Sequence, residues 1–355
     1  MLKKFGKSAL AVLSSVLLSL KPRRMDRWLI IRDRPNTFES ITASSLCVSL
    51  VFAAWYFLTR GPVEGRVIDP VTMPSPGETL STLSSLWFER GVSLGAMYSL
   101  IRVIGGFLLA AAIGVPLGIT AGSFRRLYAF LNPLSVFGRN IPVAALIPLT
   151  LMWFGLGEIQ KVMFIFCAAV AFVFFDTVNA VDNVANNYLD SAYTLGAHNV
   201  PKLGTRWALV AGTMYAFLFV LAYFMLTGIP DADEICVTCR CGVEVMVTGF
   251  MIGFILWFPI LSCQAIGKVL LPLALPDIAN SLRLLFGLAF GYIMLAEVIN
   301  AEYGLGAIIN LSQRQGPREH IFLCLIFIAL MAYGIDRVML ALQRWLFPYK
   351  QTGGH

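Results

Sequence analysis

Three groups of residues have types and spacings that carry chemical meaning. The run Asp190-Ser191-Ala192-Tyr193-Thr194-Leu195-Gly196-Ala197 has the make-up of a contact surface. Asp190 suits the first turn of a helix. Ser191, Ala192 and Ala197 are small enough to let another surface approach the backbone, and Gly196 lets the chain turn away. An ordinary polar turn is the plain alternative. The second group, Cys236-x-x-Cys239-x-Cys241, offers thiols under three readings that all stand: a disulfide between two of the three, an inert cluster, or a metal site completed by Asp231, Asp233 or Glu234. The third group is Asp176, Asn179, Arg283 and Glu297, polar residues inside otherwise apolar stretches. A charge at the middle of a bilayer-spanning helix costs about 2.5–3.5 kcal/mol on insertion scales, so such residues line a polar path or pair between helices.

The elements that carry these residues are apolar. Hydrophobic residues make up 58% of the 355 and charged residues 13%, with a mean hydropathy of +0.76. That composition belongs to a chain whose solvent is largely lipid. The net charge of +7 comes mainly from short basic segments beside apolar runs with little aromatic interleaving. It therefore reads as a topology signal and not as a nucleic-acid surface. A bilayer core needs about 20 apolar residues per helix. Runs of that kind predict spans at 41–59, 94–121, 161–181, 207–229, 243–262, 278–299 and 320–340, with a broken pair over 127–156 around Arg139, Asn140 and Pro142.

The expected fold class is therefore all-α, a polytopic transmembrane helical bundle of eight spans. Nine basic residues against three acids precede the first span, which places the N-terminus in the cytoplasm, and an even count returns the C-terminus there. The first 40 residues read as a cytoplasmic segment holding a helix that lies along the membrane face. Residues 41–72 are the first span and its external connection, with a short helix expected over 78–88. The rest divides into 73–202, 203–265, 266–350 and a tail at 351–355.

The octet at 190–197, together with Val269-Leu270-Leu271-Pro272, resembles the two halves of the loop signature of importer permeases of the ATP-binding-cassette class. Other stretches resemble the sulfonate, taurine and nitrate branch of that family. They are Ser99-Leu100-Ile101-Arg102-Val103-Ile104-Gly105-Gly106-Phe107, Ile141-Pro142-Val143-Ala144-Ala145-Leu146-Ile147-Pro148, Leu151-Met152-Trp153-Phe154-Gly155-Leu156-Gly157, Ser281-Leu282-Arg283-Leu284, Leu295-Ala296-Glu297 and Tyr303-Gly304-Leu305-Gly306. The resemblance implies a bundle like a type I importer permease, a homodimer in the inner membrane, and no enzymatic activity in the chain itself. It implies two further partners, an ATPase subunit and an external solute-binding protein. Asp190, Ser191, Ala192, Gly196, Ala197, Val269, Leu271 and Pro272 would be the ATPase-coupling residues. The chain has no Gly-x-x-x-x-Gly-Lys-Ser/Thr phosphate loop, so ATP and magnesium are expected on the partner ATPase. No cofactor or resident metal is expected in this chain.

One departure from the family pattern is large. Between Gly196 and Val269 lie 72 residues, where the family has a short connection. The surplus is a predicted transmembrane hairpin over 203–265 inserted in the coupling loop. It is expected to pack on the lipid-facing periphery and leave the first docking segment usable. A secondary transporter or channel, and a degenerate permease acting as a scaffold, are the competing functional readings.

Overall fold

The computed structural model describes residues 36–61, 65–70, 72–197, 209–217, 235–315 and 318–351. Every regular element among them is helical. The expected N-terminal interfacial helix, and Asp231, Asp233 and Glu234, lie outside the described residues. The chain divides into two units, 1–76 and 77–355.

The first unit holds α1 (Thr37–Leu58), whose start is closed by the Glu39 carboxylate accepting from the Asn36 N–H at 3.2 Å. No residue of its most apolar stretch is buried. In lipid that exposure carries no penalty, because the acyl chains are as apolar as the side chains they meet. The Trp55 indole N–H donates to the Pro74 carbonyl at 2.9 Å and ties the end of α1 to the segment that follows it.

Two short helices, α2 (Pro76–Ser81), whose first residue closes the first unit, and α3 (Leu83–Phe88), occupy the stretch where one was expected. Then come α4 (Val92–Ser123), α5 (Arg125–Asn140), α6 (Val143–Phe154), α7 (Glu158–Asp182) and the short α8 (Asn186–Thr194). Helical residues 209–217, here α9, are followed by α10 (Ile235–Ser262). A π-helical turn, Ile266–Leu270, leads directly into α11 (Leu271–Asn300). The remaining helices are α12 (Leu305–Gln315), α13 (Glu319–Leu346) and α14 (Pro348–Gln351).

Among the described residues five helices are long and apolar enough to cross a membrane, and six crossings result if α5 and α6 form one broken span. Those two meet at 102°. Pro142 causes the break: it cannot donate to the preceding turn, and it drives Ile141 out of the helical region to φ −69°, ψ 126°.

Two boundaries differ from expectation. The helix predicted to start near Val243 starts at Ile235, so the backbone at Cys236, Cys239 and Cys241 is helical and not part of a turn; Ile235 to Cys241 contains no glycine or proline to stop the helix earlier. The side chains of these three cysteines lie outside the described residues. The span predicted to start near Ile278 extends back to Ile266 as one rod. Pro272 sits in the first turn of α11, directly after the π-turn.

Close packing of α4 on α7 forms the spine of the bundle. Gly106, Gly114, Gly118 and Gly122 of α4 face α7. A Cβ at Gly106 would lie 2.6 Å from the Val162 carbonyl, and one at Gly118 would lie 2.6 Å from Thr177 Cβ. With no hydrophobic force between helices in lipid, backbone approach of this kind supplies the van der Waals energy that holds them together. The main buried cluster combines Val103 and Phe107 of α4, Leu146 and Ile147 of α6, Phe164 and Ile165 of α7, and Phe286, Phe290 and Ile293 of α11.

Candidate coupling site and buried charge network

The octet builds a short helix with a defined end. In α8, the Ser191 hydroxyl donates to the Asn187 carbonyl at 2.7 Å and the Thr194 hydroxyl to the Ser191 carbonyl at 2.8 Å. Both hydroxyls thus fold back on the helix and leave a low surface. Gly196 N–H donates to the Tyr193 carbonyl at 3.0 Å and Ala197 N–H to the Ala192 carbonyl at 2.9 Å. With Gly196 at φ +87°, this is a Schellman termination, which requires the left-handed conformation that glycine adopts without penalty. Asp190, Ser191 and Gly196 are exposed, Ala192 and Ala197 half-buried. Leu195 is 88% exposed, a large apolar side chain held in the open beside the turn.

The inserted hairpin does not separate the two halves of the loop in space. Leu189 of α8 packs on a cluster formed by Ile260 and Cys263 at the end of α10, Ile266 and Leu270 of the π-turn, and Ile119 and Val181 of α4 and α7. Val269 and Leu271 are half-buried in this junction and Pro272 is exposed. The Tyr349 hydroxyl donates to the Pro272 carbonyl at 2.7 Å, bringing the C-terminal helix to the same place. Nearby, Arg125 and Asp182 pair at 3.2 Å across the starts and ends of α5 and α7.

The four intramembrane polar residues do not form one group. Arg283 of α11 pairs with Asp336 of α13 at 3.5 Å and donates to Asn280 Oδ1 at 3.2 Å. Asp176, half-buried, and Asn179, exposed, lie on α7 toward the α8 end. Arg139 of α5 stacks on Phe175, 3.4 Å from the ring centroid, beside Asp176.

Glu297 is elsewhere, fully buried near the first turns of α4. Its carboxylate accepts from Arg102 Nη1 at 2.7 Å, from the Ser99 hydroxyl at 2.8 Å and from the Gly306 N–H at 3.0 Å. Ser99 Oγ in turn accepts from the Leu305 N–H at 3.0 Å. Arg102 is 3% exposed. It also holds Glu158 through two bonds, at 2.5 and 2.7 Å, and the Tyr303 carbonyl at 2.6 Å. Lys161 adds a 2.7 Å contact to Glu158. Three buried charges, Arg102, Lys161 and Glu297, are thus balanced with the half-exposed Glu158 and each is partnered, the condition under which buried charges are tolerated. Gly304, at φ +139°, passes so close that a Cβ there would lie 2.5 Å from the Glu297 carboxyl carbon. Beside this network opens a cleft of about 500 Å³ whose rim carries Glu89, Arg90, Glu302 and Arg314.

Arg102 and Glu158 were not among the sequence candidates. The available signal was the opposite charge of Arg102 to both Glu158 and Glu297 and the position of all three at the same end of neighbouring spans. Charged residues in lipid-embedded helices seek each other, and 195 residues separate Arg102 from Glu297 in the chain.

Comparison with known proteins places this geometry. The model of the family described as binding-protein-dependent transport system inner membrane component matches residues 114–203 and 262–350, together just over half of the chain, and the two matched stretches lie on either side of most of the hairpin. The taurine transport system permease protein of Escherichia coli is 23% identical over 343 residues, covering 94% of this chain and 98% of that protein. A putative aliphatic sulfonates transport permease protein of Bacillus subtilis is 23% identical over 286 residues, 81% of each. Among solved structures, an inward-facing methionine transporter permease chain aligns with a TM-score of 0.46 at 16% identity, covering 74% of this chain and 97% of that one. The chain therefore belongs to the family of binding-protein-dependent transport system inner membrane components: it is the membrane-spanning permease of an ATP-driven importer, a subunit that works with a separate ATPase and a solute-binding protein.

Proposed function

We propose that this permease carries a small polar solute of the sulfonate, taurine or nitrate kind inward, and that α8 with the π-turn forms the seat of the ATPase. The solute class is supported by the names of the taurine and aliphatic-sulfonate relatives. The single observation that carries the coupling assignment is the packing of α8, through Leu189, on the apolar cluster that includes Ile266 and Leu270 of the π-turn across the insertion. A docked ATPase would move α8 and the root of α11 together, because they share one apolar cluster. Such motion reaches Arg283 and Glu297 along a single uninterrupted helix. ATP and magnesium reside on the partner ATPase in this reading.

The basic N-terminal segment supports a cytoplasmic N-terminus, and an even number of spans brings the C-terminus to the same side, with α8 also in the cytoplasm in this reading. The charged rim around Glu89, Arg90, Glu302 and Arg314 then faces outward, where it suits the polar surface of a binding protein. The active unit is a homodimer in the inner membrane. Retained contact between the loop halves favours a working permease over a scaffold.

Co-purification with the ATPase, followed by ATPase assay in proteoliposomes with taurine-loaded binding protein, tests the reading. Stimulation that disappears on replacing Asp190 with Ala and Gly196 with Ala is expected. A complex whose turnover ignores both changes would refute the docking assignment.

A further inference from the structure

A polar contact of the inserted hairpin with α4 falls at a defined defect. Pro116 lies inside α4 and is buried. It has no N–H, so the carbonyl four residues earlier, that of Ala112, loses its helical partner within the membrane-spanning region. The Tyr215 hydroxyl of α9 donates to that carbonyl. Tyr215 is 3% exposed, and its hydroxyl accepts from the Trp257 indole N–H of α10 at 3.0 Å. Both helices of the hairpin thus converge on the one backbone oxygen that the proline frees.

The hairpin is shaped for this contact. A Cβ at Gly253 of α10 would lie 2.5 Å from Tyr215 Cβ, and one at Gly212 of α9 would lie 2.9 Å from Phe250 Cε2, so paired glycines let α9 and α10 close around the tyrosine. The same chemistry recurs at the coupling junction. Pro276 deprives the Pro272 carbonyl of its helical donor, and the Tyr349 hydroxyl supplies one at 2.7 Å.

We infer that the hairpin is an internal brace of the permease, in which Tyr215 is a positioning residue that caps the Ala112 carbonyl and fixes the Pro116 irregularity of α4. From Trp257 the same helix runs on to Ile260 and ends just before Cys263, and both residues join the cluster holding α8 and the π-turn. The brace therefore links the middle of α4 to the ATPase seat by a route that the uninserted family pattern lacks. Its role in transport rests on the importer reading; the bracing contact does not.

The test is a two-by-two set: wild type, Tyr215→Phe, Pro116→Ala, and both together, each in nanodiscs for thermal unfolding and in the reconstituted complex for binding-protein-stimulated ATPase. Tyr215→Phe keeps the ring and removes only the hydroxyl. One hydrogen bond corresponds to roughly a two- to tenfold shift in an equilibrium. In the Pro116 background, Tyr215→Phe is expected to lower the unfolding midpoint and reduce stimulation by about fivefold. In the Pro116→Ala background, where residue 116 again donates to Ala112, the same change should cost less than about twofold. A Tyr215→Phe effect that is absent, or equal in both backgrounds, overturns the inference, because a ring acting by packing alone would not respond to the proline. If no variant, wild type included, shows stimulated turnover, the importer reading fails instead, and the midpoints alone decide the brace by the same rescue criterion.

Discussion

Replacing Gly196 with Ala adds a single methyl to the surface of the coupling helix and perturbs its end. Gly196 stands at φ +87°, and a Cβ built there meets nothing within 4 Å. The whole cost is therefore conformational: holding an L-residue in the left-handed region takes about 1–2 kcal/mol. A penalty of that size changes a conformer ratio by roughly 5- to 30-fold. The loss falls on the two terminating bonds, Gly196 to Tyr193 and Ala197 to Ala192, so α8 would fray at the end that presents Leu195. Asparagine tolerates the left-handed region better than alanine, and Gly196→Asn should recover part of the loss. Stimulated ATPase activity and ATPase-subunit retention on the purified permease, compared for wild type, Gly196→Ala and Gly196→Asn, provide the assay. Full activity of Gly196→Ala would refute the reasoning, as would equal damage from Ala and Asn, since the cause would then not be backbone strain.

Four further outcomes follow from other parts of the bundle. Glu297→Gln keeps the shape of the side chain but strips the buried Arg102 of one of its carboxylates. Breaking a buried pair costs about 3–5 kcal/mol, to be seen as a large drop in the thermal midpoint. Glu158→Gln should cost less, because the Glu158 side chain is 45% exposed and water can replace part of what is lost. Gly118→Ala drives a methyl to within 2.6 Å of Thr177 Cβ and should destabilise by about 1–3 kcal/mol, whereas Gly287→Ala, with nothing within 4 Å, should be neutral or mildly stabilising in the same unfolding assay.

Much of the bundle was legible because long apolar runs have one physical solution in lipid. The cores of α1, α4, α7 and α13 fall where hydropathy put them, and Pro142 breaks the α5–α6 pair as its chemistry demands. Less legible was the root of α11, since the sequence around Pro272 and Pro276 reads as a loop. The chain continues as a helix there because the π-turn, Tyr349 and Gln343 accommodate the prolines; Gln343 Nε2 donates to the Pro276 carbonyl at 3.1 Å. Arg102 was not among the candidates because its partners lie 56 and 195 residues away, and no local pattern reports such pairing. The hairpin's attachment was hidden for a similar reason. A tyrosine in an apolar run gives no sign that it caps a carbonyl freed by a proline in another helix.

The shared seat of the two loop halves can be tested by placing a photo-crosslinking residue at position 191, and separately at position 269, in the complex with its ATPase. Crosslinks from both positions to the same ATPase subunit, weakened together by Gly196→Ala, are the predicted result. A crosslink from 191 with none from 269, or from neither, would contradict the coupling site described above.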